Sequence, residues 1–192
     1  MAQLCDEDSV FTALVLRWAA KCDYRFMRSF FRHISLILLG LSGSLIVCGE
    51  TSVAHDWIML SGGVSGLFDS EQNPTFMLEY RFAKNWNSLR PWAGLSWATD
   101  GAVFAGGGIM YTLATGDENW LVSVGTGPGY YERHQGADLG SHMEFCTFGE
   151  ISRNLPWKHR VMIRLMHISN GGLTERNPGN ELLLLGYAMP LP

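Results

Sequence analysis

Charge is scarce in this chain. Only 17% of its 192 residues are charged, and the formal net charge is −4. No basic patch stands out, which excludes the electrostatic footprint of a nucleic-acid binder. A run long enough for a membrane-spanning helix is missing too. The apolar stretch Ile34 to Val47 is fourteen residues, too short to cross a bilayer as a helix. Cysteine is limited to Cys5, Cys22, Cys48 and Cys146. From Glu50 onward no long window carries a convincing helical period. Glycine, by contrast, is plentiful at 22 residues, and aromatics make up 12%. That mixture suits close-packed strands better than a helical bundle.

The N-terminal region has the pattern of an export signal. Arg28 and Arg32 precede the apolar stretch, and small residues follow it. A signal peptide over residues 27–49, cut between Gly49 and Glu50, fits this order. Residues 1–26 then form an upstream extension or reflect a misassigned start, with Met27 as initiator. A buried helix is the competing reading. Cys48 as a lipidation site fits less well, because Val47 stands where a small residue is expected. After cleavage only Cys146 remains, so the mature chain can form no internal disulfide.

Residues 50–192 read as strands. In "TFMLEYRFA", Phe76, Leu78, Tyr80 and Phe82 alternate with Thr75, Met77, Glu79 and Arg81. In "RVMIRLMH", Val161, Ile163 and Leu165 alternate with Arg160, Met162, Arg164 and Met166. This period of two is the strand signature. Turn-forming residues break the chain near 70–74, 85–88, 99–101, 115–119, 134–140, 154–156 and 170–179. The breaks predict eight strands, near 55–68, 75–84, 89–98, 102–114, 120–132, 142–153, 157–169 and 180–190.

Eight antiparallel strands behind an export signal leave two architectures: an outer-membrane barrel, or a soluble barrel or sandwich. Polar residues gather on single strand faces, as Glu79 with Arg81, Arg160 with Arg164, and Glu144 with Glu150. Such faces either meet water or line a packed polar interior, and alternation alone does not choose. The aromatics choose. Trp57, Trp86, Trp92, Trp97, Trp120, Tyr130, Tyr131, Trp157 and Tyr187 sit near strand ends, where amphipathic rings suit membrane interfaces. The expected fold is all-β, an eight-stranded antiparallel up-and-down outer-membrane β-barrel.

The segment "HISNGGLTERNPGNE", residues 167–181, carries the chemistry. His167 and Ser169 lie two apart on a strand, so their side chains leave one face. Glu181 joins that face if the hairpin sets it opposite His167. A serine hydroxyl needs a base to become a nucleophile. An imidazole titrates near neutrality and suits that task, and a carboxylate behind it holds its tautomer. Asn170 and the amides of Gly171 and Gly172 could stabilise an oxyanion. On spacing alone, a polar hairpin with a capping histidine is the plainer reading. The face argues otherwise. His167 and Ser169 share parity with Val161, Ile163 and Leu165, which look at lipid in a membrane barrel.

The segment resembles the signature of the outer-membrane lipid A 3-O-deacylases, a His-x-Ser-Asn-x-Gly stretch followed by a glutamate at this spacing. His167, Ser169, Asn170, Gly172 and Glu181 carry the match. The resemblance implies an eight-stranded barrel in the bacterial outer membrane. It implies hydrolysis of the ester that links a 3-hydroxyacyl chain to the 3-position of lipid A. Ser169 would be the nucleophile, His167 the base and Glu181 its orienting partner. Asn170 and Gly172 would serve the oxyanion. No cofactor and no metal are implied; the partners are lipid A and the membrane, and a homodimer stays open. Ile168 stands where the family commonly has an aromatic, a change expected to bear on acyl-chain packing. The chain ends "YAMPLP", without the terminal aromatic typical of many outer-membrane barrels.

Other segments carry less. "AGGG" at 105–108 and "GTGPGY" at 125–130 do not sit at a strand-to-helix junction, so nucleotide binding is rejected. His134, His142 and Asp138 lack a defined ligand spacing for a metal. His55, Asp56 and Asp69 read as solvated rim residues. Arg90, Arg133 and Arg153 read as ordinary loop charges, with lipid A phosphates the alternative. A non-catalytic barrel and a soluble periplasmic esterase remain the competing functions.

Overall fold

The computed structural model describes residues 48–49, 55–84, 89–114 and 119–192. Eight strands follow in chain order: β1 (Trp57–Ser65), β2 (Asn73–Arg81), β3 (Leu89–Ala98), β4 (Val103–Ala114), β5 (Trp120–Glu132), β6 (Met143–Asn154), β7 (Arg160–Ser169) and β8 (Asn180–Pro190). Each pairs antiparallel with its neighbours in the chain, and β8 pairs with β1 to close the ring. Trp57 stands opposite Pro190 and Ser65 opposite Leu182 across that seam. Closure pairs each of these eight strands on both sides, so none of the eight is an edge strand. The expected extension and signal peptide lie outside the described residues, apart from Cys48 and Gly49. That dipeptide pairs with Ala114 and Leu113 at the end of β4.

Alternation sets the two faces of the wall. Leu78, Leu95, Trp97, Ile109, Ile163 and Leu185 point outward and are exposed. An apolar belt of this kind is costly in water and suits the hydrocarbon of a bilayer. The opposite parity turns inward. Glu79 and Arg81 on β2, Glu150 on β6 and Arg164 on β7 meet inside the barrel, all buried. Arg81 Nη2 donates to Glu150 Oε2 at 2.6 Å, and Arg164 Nη2 donates to the same oxygen at 2.6 Å. Arg164 Nη1 also donates to Glu79, and Arg81 Nε donates to Glu79 Oε1. Two cations and two anions balance, and the Arg164 guanidinium lies 3.9 Å from the centroid of the Phe148 ring. A charge away from water is tolerated when it is paired and hydrogen-bonded.

The predicted strands correspond to the observed ones, with shifts that have local causes. β1 stops at Ser65 because Gly66 takes φ +68° and turns its amide onto Asn180 Oδ1 at 2.9 Å. β7 starts at Arg160 rather than 157 because Pro156–Lys158 form a short 3-10 turn. The aromatics divide. Trp97, Trp120, Tyr130, Trp157 and Tyr187 are exposed on the outside, as expected of interface rings. Trp57, Trp92 and Tyr131 instead point inward and are buried, so they belong to the core. Trp92 packs edge-on against Phe148 at 5.5 Å. Trp86 lies outside the described residues.

Candidate active site

The β7–β8 hairpin sets His167 directly opposite Glu181. Their side chains leave the outer face, half-buried, and Glu181 Oε1 lies 2.9 Å from His167 Nδ1. A carboxylate accepts only, so Nδ1 carries the proton in this pair. In the neutral ring Nε2 is then the acceptor. Ser169 leaves the same face two residues on, opposite Phe145 of β6. Thr147 of β6 stands opposite His167. Hydroxyl, imidazole and carboxylate therefore occupy one outward patch at the end of two strands. Among the described residues no hydrogen bond joins the Ser169 hydroxyl to His167.

Backbone holds the imidazole from the other side. Gly179 takes φ +78°, and a Cβ there would lie 2.6 Å from His167 Cε1. Only a glycine brings the chain this close to the ring. In the sequence Gly179 is marked only by the turn motif Asn177-Pro178-Gly179.

The loop between the strands, residues 170–179, is built around Asn170. This side chain is fully buried. Its Nδ2 group donates among Leu139 O (2.8 Å), Thr174 Oγ1 (2.7 Å) and Arg176 O (2.8 Å). Its Oδ1 accepts from the Gly172 amide at 2.8 Å, and its own amide donates to Asn177 Oδ1 at 3.0 Å. Asn170 thus spends its polar atoms on the loop rather than on the patch outside, and the Gly172 amide is engaged with it. Gly171, at φ +64°, has no acceptor for its amide among the described residues. The second long loop, residues 133–142, is tied in through Leu139. That side chain is buried with Ile168 and Tyr131 in the barrel core. Arg133 and Arg176 both contact Asp138, at 3.0 and 3.4 Å.

Ile168 points into the barrel and is 1% exposed. The change expected to bear on acyl-chain packing therefore acts on the core beneath the loops instead. His142 stacks on Tyr130 with ring planes 5° apart, and no group of three metal-ligating side chains forms among the described residues. Asp56, before β1, accepts hydrogen bonds from the Tyr80 hydroxyl and the Ala83 amide. Those donors hold its carboxyl below the usual carboxylate range.

The chain resembles known proteins in both sequence and fold. A family model described as lipid A 3-O-deacylase (PagL) matches residues 71–190. The lipid A deacylase PagL of Bordetella bronchiseptica is 31% identical, across 66% of this chain and 82% of its own length. Among solved structures, the outer membrane enzyme PagL aligns with a TM-score of 0.59 at 20% identity, covering 70% of this chain and 99% of that one. Neisserial surface protein A aligns at 0.56 and 10% identity, covering 71% and 97%. At these identities the two structures speak for the barrel fold.

Proposed function

The chain belongs to the lipid A 3-O-deacylase family, and from that premise we propose that it removes the ester-linked 3-hydroxyacyl chain at the 3-position of lipid A. The observation that supports a serine mechanism is the His167–Glu181 contact at 2.9 Å on the same outward face as Ser169. Ser169 Oγ attacks the ester carbonyl while His167 Nε2 takes its proton. Glu181 stabilises the imidazolium that forms. The Gly171 amide is the donor offered to the oxyanion, and Asn170 shapes the loop that aims it. Collapse breaks the bond to the sugar oxygen, which leaves with the proton held by His167. Water, deprotonated by the same histidine, then cleaves the acyl-serine and releases a free 3-hydroxy fatty acid.

The barrel lies in the bacterial outer membrane, with residues 27–49 as its export signal and residues 1–26 upstream of it. Loops 133–142 and 170–179 emerge from one end, and β1 starts and β8 finishes at the other. Outer-membrane barrels turn their longer loops outward and keep short turns inside. The triad then stands at the outer leaflet, level with the headgroups of its substrate. Lateral access fits an outward patch, since an embedded acyl ester never leaves the membrane.

The test is mass spectrometry of lipid A incubated with the detergent-refolded barrel and with its Ser169→Ala variant. Loss of one 3-hydroxyacyl mass with the parent protein alone supports the reading. Unchanged lipid A with both folded barrels would replace it with a non-catalytic barrel.

A further inference from the structure

One polar row on the outer wall extends beyond the triad. Thr126 of β5 stands opposite Thr147 of β6, which stands opposite His167, which stands opposite Glu181. The next row toward the strand middle is Val124, Gly149, Leu165 and Leu183. Two hydroxyls therefore face outward where apolar side chains are the rule, and the triad chemistry does not use them.

Their protons can be assigned. A threonine hydroxyl has one hydrogen. Thr126 Oγ1 donates it to Cys146 O at 2.9 Å. The 3.3 Å contact between Thr126 Oγ1 and Thr147 Oγ1 then takes the Thr147 hydrogen. Thr147 Oγ1 is left with acceptor lone pairs, beside the imidazole and diagonal to Ser169. What complements it is a donor on the substrate.

We propose that Thr147 is a specificity residue that accepts a hydrogen bond from the 3-hydroxyl of the acyl chain being removed. This rests on the deacylase reading above. When the ester carbonyl carbon meets Ser169 Oγ, the hydroxyl-bearing carbon is two bonds further along the chain. Diagonal neighbours on an antiparallel sheet have Cα atoms about 7–8 Å apart, a gap that such a fragment bridges. An unsubstituted chain has nothing to give Thr147. A chain whose 3-hydroxyl carries a secondary acyl group has lost the hydrogen and adds bulk.

The experiment compares two lipid A substrates that differ only in the 3-linked chain, 3-hydroxyacyl or plain acyl of equal length. Each is offered to the refolded barrel, Thr147→Val and Thr147→Ser. The expected parent preference for the hydroxylated chain is about tenfold in kcat/KM, the scale of one hydrogen bond. Thr147→Val loses that preference by slowing only on the hydroxylated lipid, and Thr147→Ser keeps it. A ratio taken within one preparation is unaffected by any loss of folded protein. Equal slowing on both lipids, or a preference that survives Thr147→Val, overturns the proposal. Equal rates for the parent protein on both lipids sink the role of Thr147 and leave the deacylase reading standing. No hydrolysis of either lipid by the folded parent protein sinks both.

Discussion

The backbone of Gly179 lies against the His167 imidazole so closely that one added methyl would sit 2.6 Å from Cε1. Gly179→Ala should therefore push the ring off Glu181 and lower kcat by about a hundredfold, the cost of a misplacement near 1 Å. The left-handed φ of +78° adds roughly 1–2 kcal/mol of strain to the variant. Steady-state kinetics on refolded barrel, with the gel mobility of folded protein as control, checks this. Unchanged kcat would show that the ring has room to move.

Glu181→Gln keeps the shape of the side chain but offers an amide that can also donate to Nδ1. The proton then need not stay on Nδ1, and Nε2 is no longer the assured acceptor. Loss of about 10⁴-fold in kcat is expected by analogy with triads whose carboxylate becomes an amide. Stability should change little, because the pair is half-buried on the outer face. A variant that unfolds in parallel with its loss of activity would point to a structural role instead.

Inside the barrel, Glu150 accepts from both Arg81 and Arg164. Glu150→Gln leaves two buried guanidiniums facing the single carboxylate of Glu79. Breaking such a network costs about 3–5 kcal/mol. Urea unfolding in detergent should register this as a lower midpoint, while activity below the transition stays near normal. Rescue by replacing Arg81 with methionine as well would confirm that the damage is unpaired charge.

Asp56 predicts a pH effect at the opposite end. Its carboxyl is held below the ordinary range by the Tyr80 hydroxyl and the Ala83 amide. A depressed folded-state pKa contributes stability above the unfolded pKa, and that contribution is lost as pH falls through the folded value. Acidification should therefore destabilise the parent protein more than Asp56→Asn. Identical acid profiles would remove Asp56 from the account.

Much of this was legible because it is local. Alternation in "TFMLEYRFA" and "RVMIRLMH" marks strand faces, and turn residues mark their ends. The opposition of His167 and Glu181 was legible too, since one hairpin decides it. The role of Asn170 was not. Its neighbours Leu139 and Arg176 come from two loops, and what its amide meets depends on how those loops fold over the mouth. Trp57, Trp92 and Tyr131 misled for a related reason. An aromatic near a strand end has the same local sequence character whether it faces lipid or core; only its parity in the ring separates the two.

By itself, then, the sequence determined the strand count, the alternation within each strand and the hairpin that carries His167, Ser169 and Glu181. Those follow from a two-residue period and the dihedral preferences of glycine, proline and asparagine. The tertiary structure decided which strands meet across the ring, and with them the Arg81–Glu150 pairing, the Gly179 backstop and the row that sets Thr147 beside His167. Registers between neighbours must add up to a single stagger when the barrel closes. That condition belongs to all eight strands at once and is written in no short stretch of the chain.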